Sequence, residues 1–285
     1  MPDNVLTEEP LQFGEGGRLF GILTLPSAPH RDARDLPVFV FLNAGLLHRV
    51  GPYRLHVRLV RKLAEMGFSS LRVDLAGRGD SPGVSGLTNQ QSVAADYEEI
   101  VGMLESRLGR VPLVLGGLCS GADNAIRLAP TDPRVIGMLL LDPVCSLDDG
   151  FRARELFMKY TNPARYVVWL KRRLTLLTSL PGEDWSDKET VDPMTLRDQP
   201  SDEQLRAAFE AICERRGRVL SVFTRYATQY YNQLGQFGRT LGVAGYQRFC
   251  TELFWPQAAH TYTLEVHRRR LIDEVKNWAG GYIRT

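Results

Sequence analysis

Four cysteines in 285 residues, with no pair spaced as CxxC, provide neither a zinc knuckle nor a disulfide framework. Charge of one sign is lacking as well. The 35 Lys and Arg against 33 Asp and Glu leave +2, so no global field favours nucleic acid. No apolar run approaches the roughly 20 residues that cross a bilayer, and no membrane span is expected. The opening MPDNVLTEEP carries acids and prolines where a secretory leader needs an apolar core. Internal repeats, low-complexity tracts and patterns that would hold a cofactor or metal ion are absent too. The expectation is therefore a cytoplasmic globular chain, and its 44% hydrophobic content supports a substantial core.

Short β-branched runs alternate with helical patterns, which implies a mostly parallel sheet covered by helices on both faces. Leu11–Phe13 and Leu19–Leu25 read as a hairpin across Gly14–Gly17. Pro37–Leu42 is a continuous apolar run of the kind buried on both sides. A helix over Tyr53–Met66 follows, with Leu55, Leu59, Leu63 and Met66 at helical spacing. The same logic gives strands at Ser70–Asp74, Leu113–Leu115, Val135–Leu141, Arg218–Phe223 and Leu253–Trp255. Helices are expected at Ser92–Leu108, Ala122–Leu128 and Glu265–Trp278, the last with Val266, Leu271, Val275 and Trp278 on one side. The alternation breaks after Pro143. Residues 146–200 hold helical segments interrupted by prolines, so the chain divides into a core at 1–145, a helical lid insertion at 146–200 and a returning core at 201–285.

The chemistry centres on VLGGLCSGADN, residues 114–124. A strand, Gly-x-nucleophile-x-Gly and a helix make the nucleophile elbow, a signature of α/β hydrolases. The glycines fit because the central residue is strained and its neighbours are packed too tightly for side chains. Only Cys119 has glycine two places before and two after it; centring on Ser120 gives Leu118 and Ala122. The competing reading is a structural cysteine beside a glycine turn. A general base must follow the nucleophile in the chain order of this fold. His260 and His267 qualify, and His267 stands among Arg268, Arg269 and Arg270 on what reads as a solvated helix face. His260 lies on the loop after the last strand, as a base or as an exposed loop histidine. After the strand ending at Leu42, the backbone N–H of Leu46 and that of Ser120 are the candidate oxyanion donors. His48-Arg49 in that loop reads as a polar turn or ion-paired scaffolding.

These motifs resemble the α/β-hydrolase superfamily. Asp74-Leu-Ala-Gly-Arg-Gly-Asp80-Ser81 is similar to its DxxGxGxS turn. The Asn43–Arg54 loop and the Gly117-Leu118-Cys119 elbow resemble a bacterial subgroup that includes exosortase-associated hydrolases. The resemblance covers Leu11 to about Leu141 and Arg218 to about Trp278, and it implies the α/β-hydrolase fold and acyl chemistry. Such families place the third member of the triad after the strand equivalent to Arg218–Phe223. Here no Asp or Glu occurs between Glu214 and Glu252. The substitute is Asp142, at the end of the preceding strand, which could equally cap the turn at Pro143. A thiol tolerates a weak third member, because a Cys–His pair beside a helix N-terminus forms a thiolate without help from a carboxylate.

Between Phe151 and Leu174 seven cations (Arg152, Arg154, Lys159, Arg165, Lys171, Arg172 and Arg173) face one acid, Glu155. The plain reading is a solvated amphipathic lid. The sharper one is a dock for an acyl carrier protein or a coenzyme A phosphate. The expected function is an acyl-enzyme hydrolase of esters or thioesters, with acyl transfer as a variant and a small-molecule or carrier-bound acyl substrate. Lactone or C–C bond hydrolysis is the alternative reaction, and a non-catalytic binding scaffold the alternative class.

Overall fold

The computed structural model describes residues 6–27, 36–161 and 197–283. Among them an eight-stranded sheet runs in the order β1-β2-β4-β3-β5-β6-β7-β8. The strands are β1 (Leu6–Phe13), β2 (Leu19–Pro26), β3 (Val38–Leu42), β4 (Ser70–Asp74), β5 (Leu113–Leu118), β6 (Val135–Leu141), β7 (Arg218–Thr224) and β8 (Cys250–Trp255). β1 and β2 form the expected hairpin, and β2 also pairs antiparallel with β4. From β4 to β8 every pairing is parallel. This is the α/β-hydrolase fold.

Strand alternation divides the core into two layers. In β3, Val38, Val40 and Leu42 point to one side and Phe39 and Phe41 to the other, and all five are buried. The first side is covered by helices α2 (Asn89–Leu108), α3 (Ser120–Leu128), α5 (Asp202–Glu214), α6 (Gln236–Leu241) and α7 (Tyr246–Phe249). The second is covered by α1 (Leu55–Glu65) and α8 (Glu265–Ala279). Helix α2 starts three residues before the expected Ser92. Its N-cap is Thr88, which accepts from the Gln91 amide at 3.3 Å and donates its own N–H to the Gln91 side chain at 3.0 Å. In α8, Leu271, Val275 and Trp278 are buried as expected, but Val266 is 65% exposed. The apolar stripe begins a turn later because the first turn of α8 is committed to ion pairs of Glu265 with Arg58, Arg268 and Arg269.

Of the expected lid, α4 (Phe151–Thr161) is described, and residues 162–196 lie outside the described residues. Arg165, Lys171, Arg172 and Arg173 are therefore outside it as well. Arg154 is tied down within the fold, paired with Asp148 and donating to Asn232 at 2.8 Å. Among the described residues no helix is long and apolar enough to cross a membrane. Parallel strands β3, β5, β6, β7 and β8 end at one edge of the sheet. The loops leaving that edge carry Asn43–Leu47, Cys119, Asp142, Thr224 and His260. Strand order reverses there between β4, β3 and β5, the place where open α/β sheets leave a crevice.

Candidate active site

Cys119 stands between β5 and α3 with φ 56° and ψ −121°, a backbone state that side chains other than glycine rarely take. Its N–H donates to the Leu141 carbonyl at 2.8 Å, which locks the turn against the next strand. The two glycines of the frame are required sterically. A Cβ on Gly117 would lie 2.6 Å from the Gly121 carbonyl carbon, and one on Gly121 would lie 2.6 Å from the Leu42 oxygen. Ser120 is the first residue of α3, where the early amides have no partner within the helix. Its hydroxyl accepts from the Gly45 N–H at 2.6 Å and so pins the loop after β3 to the elbow.

His260 and Asp142, 118 positions apart, meet at 2.6 Å between Nδ1 and Oδ2. Asp142 is wholly buried, with φ 48°, and its amide donates to the Val222 carbonyl at 2.8 Å. It does not cap the Pro143 turn. The Thr224 N–H donates to its Oδ1 and the Thr224 hydroxyl to its Oδ2, both at 2.6 Å. The Thr224 amide, the Thr224 hydroxyl and His260 Nδ1 thus converge on one buried carboxyl group. Cys119 lies within electrostatic reach of the imidazole. Burial works against a charged imidazole here. The hydrogen bond to Asp142, with the nearby Cys119 side chain, outweighs it and pushes His260 up to about 9. The Tyr226 ring lies over the imidazole, with centroids 4.2 Å apart. His267 is half-buried on α8, remote in role from this cluster and not the solvated group expected.

The loop after β3 is held by Asp74, itself wholly buried at the end of β4. Asp74 accepts from the Asn43 side chain at 2.8 Å and the Arg49 amide at 2.6 Å, and its carboxylate pairs with the Arg49 guanidinium. The Asn43 side chain also accepts from the Leu75 amide at 2.7 Å and donates to the Leu47 carbonyl at 2.8 Å. His48 and Arg49 are thus scaffolding, joined through Asp74 and Asp80. His48, Asp74 and Asp80 also form the one metal-like grouping among the described residues. Arg49 already supplies the cation there, with Nη1 2.7 Å from Asp80 and 2.8 Å from His48. At the tip of the loop the Gly45 N–H is taken by Ser120 and the Leu47 N–H by the Ala44 carbonyl at 2.8 Å. The Leu46 N–H, the expected oxyanion donor, has no partner among the described residues, and its side chain is 84% exposed.

Sequence reasoning missed Arg197. Its side chain is 3% exposed and forks onto Asp123, wholly buried on α3, with Nη2 at 2.7 Å and Nε closing the second arm. Nη2 also donates to the Asp142 carbonyl at 3.1 Å, and Asp123 accepts from the Val144 amide at 3.2 Å. The pair therefore staples the strained turn that carries Asp142. Burial weighs against the Arg197 charge, and the Asp123 carboxylate more than compensates, so the guanidinium is held fully protonated. The available signal was an arginine in a proline-flanked stretch with no helical face to solvate it.

Residues 39–212 match the sequence profile of the family described as serine aminopeptidase, S33. No curated protein matches the chain. Among solved structures, the esterase Pf2001 of Pyrococcus furiosus superposes with a TM-score of 0.57 at 12% identity, covering 99% of this chain and 94% of that one. Est1E of Butyrivibrio proteoclasticus superposes with a TM-score of 0.55 at 14% identity, covering 97% and 99%. At such identities the likeness is one of fold.

Proposed function

The chain belongs to the serine aminopeptidase S33 family and is an α/β-hydrolase enzyme, and within that family we propose that it cleaves esters or thioesters through a cysteine acyl-enzyme. Cys119 Sγ attacks the carbonyl carbon while His260 holds the thiol proton as imidazolium. The carbonyl oxygen becomes an oxyanion facing the amides of Ser120 and Leu46, and the positive end of α3 favours that charge. Collapse breaks the bond to the leaving alcohol or thiol, which takes the proton from His260. Water then attacks the thioester, giving its proton to His260, and Cys119 leaves with the acid product released. An alcohol or amine in place of water makes the same steps an acyl transfer. The observation that supports this reading most is the His260–Asp142 hydrogen bond beside Cys119, with a strained backbone at Cys119 and a buried carboxylate behind the imidazole.

A thiol nucleophile favours thioesters, since acyl exchange between two sulfurs is nearly isoenergetic. A carrier protein docking on the basic stretch 152–173 belongs to the same proposal. The exosortase-associated subgroup, whose loop and elbow this chain resembles, fits a biosynthetic acyl substrate.

The test is a small activated ester, such as p-nitrophenyl acetate, followed by intact mass. Wild type gains one acetyl group. Cys119→Ala gains none, and Ser120→Ala still gains it, more slowly because Gly45 has lost its anchor. An adduct retained in Cys119→Ala would overturn the choice of nucleophile. No adduct on folded wild type would leave a binding scaffold instead.

A further inference from the structure

Beside the Cys119–His260 pair two buried donors are left without work. Arg197 uses Nε and Nη2 on Asp123 and the Asp142 carbonyl, while its buried Nη1 has no hydrogen-bond partner among the described residues. Tyr230, 6% exposed, is in the same state at its hydroxyl. The two side chains are neighbours, and the Arg197 charge also reaches Cys119. Polar atoms in a protein interior are almost always hydrogen-bonded, so two orphans side by side call for an explanation.

The donor inventory says what is missing. Nη1 carries two N–H groups and cannot accept, and the tyrosine adds one O–H. If Nη1 donates to the phenol oxygen, one N–H and the O–H remain unused. The missing group is therefore an acceptor. Its charge follows from the surroundings. Arg197 and a protonated His260 are balanced by Asp123 and Asp142, so a carboxylate would add uncompensated negative charge in a buried place. Burial first, and then Asp142, hold the Tyr230 hydroxyl well above its ordinary range, which keeps it a donor. Tyr230 also lines a cleft of about 410 Å³ whose apolar side is Val144, Leu147, Pro200 and Leu205.

We propose that Arg197 Nη1 and Tyr230 Oη form an acyl-side subsite for an uncharged carbonyl oxygen, so that the enzyme selects acyl chains bearing a keto or amide group. This rests on the acyl-enzyme reading above. The oxygen accepts from both donors while the scissile carbonyl sits at Cys119, and a plain alkyl chain would leave both donors unpaired.

The experiment compares p-nitrophenyl esters of one chain length: plain hexanoyl, 3-, 4- and 5-oxohexanoyl, and carboxylate-ended adipoyl. Wild type is expected to favour one oxo ester over the plain one by about tenfold or more in kcat/KM, about 1.4 kcal/mol. The ratio falls at least fivefold in Tyr230→Phe, which removes only an unpartnered hydroxyl and keeps the ring packing. Arg197→Lys, which keeps the charge opposite Asp123 and loses the fork, lowers the ratio as well. No oxo preference, a preference unchanged in Tyr230→Phe, or a preference for the adipoyl ester would overturn the subsite. Binding of 2-, 3- and 4-octanone to wild type and Tyr230→Phe, followed by ligand-observed NMR, gives a readout without chemistry. Ketones discriminating the two proteins without turnover of any ester would sink the acyl-enzyme reading alone. Turnover without oxo preference would sink the subsite alone.

Discussion

Asp142 Oδ2 lies 2.6 Å from His260 Nδ1, although the two side chains come from the ends of β6 and of the loop after β8. Between those strands runs β7, whose end contributes Thr224. That threonine stands at the start of the loop where the family places its acid, and it instead donates twice to Asp142. The missing carboxylate after β7 is thus replaced by a donor that orients the carboxylate of the neighbouring strand.

Asp142→Asn tests that orientation. The asparagine amide can face Nδ1 as a donor, which moves the imidazole proton to the nitrogen facing Cys119 and spoils its role as base. We expect kcat on an activated ester to fall by about 10²-fold or more, within the usual range for losing general acid–base catalysis. A fall of less than threefold would remove Asp142 from the mechanism.

The pH profile follows from His260. The imidazolium must protonate the leaving group, and in the folded protein it is lost only near pH 9 instead of 6.5. The kcat/KM profile should therefore hold through neutral pH and drop with an alkaline limb at about 9. The hydrogen bond to Asp142 is the strongest of the effects raising it, so Asp142→Asn shifts the limb toward lower pH. A raised folded value also means that the protonated pairing stabilises the fold fully below pH 6.5 and is lost as pH rises through about 9. Urea midpoints of wild type and His260→Ala across that window check the sign.

The sheet was legible because a parallel strand buried on both faces reads as a continuous apolar run, as in Val38–Leu42 and Val135–Leu141. The elbow was legible because its glycines are demanded locally, within five residues. Asp142 could be read only as one of two options, since its choice of His260 over the Pro143 turn is made by Thr224, 82 residues away. Arg197 was not legible. Its partner Asp123 is 74 positions distant and looks, in sequence, like an ordinary acid in the first turn of a helix. Periodicity marks which face is buried, and it says nothing about which buried charges find each other. Val266 failed for the opposite reason, because it fits the spacing but sits in a turn that ion pairs hold at the surface.

Thr224→Val should separate stability from chemistry. It removes the hydroxyl donor to the buried Asp142 while the Thr224 amide and His260 still hold the carboxylate. A loss of about 1–3 kcal/mol is expected by urea denaturation, the usual penalty for an under-satisfied buried acceptor. Thr224→Ser retains the hydroxyl and should keep most of it. Equal stabilities for the valine and serine variants would show that the hydroxyl contributes nothing.

Gly121→Ala tests the close approach of the elbow. Its Cβ would meet the Leu42 and Asn43 carbonyl oxygens at 2.6 and 2.7 Å, backbone atoms of the loop that carries the Leu46 amide. Neither can move without disturbing β3 or that loop. We expect a destabilisation of about 2–3 kcal/mol, with any folded fraction slow to acylate. A variant of wild-type stability and acylation rate would refute the close packing.

The Asp123–Arg197 pair makes the last prediction, because its two members respond differently to removal. Asp123→Asn leaves the buried Arg197 guanidinium without the carboxylate it forks onto, and breaking such a pair from one side typically costs about 3–5 kcal/mol. Replacing both, Asp123→Leu with Arg197→Met, removes the charge along with its partner and should recover most of that loss in a urea titration. Activity should not recover with it, since the Asp142 carbonyl and the Val144 amide have lost the groups that fix the turn. Full recovery of both stability and kcat would mean that the pair is dispensable packing. Recovery of stability alone identifies it as the brace that holds Asp142 against His260.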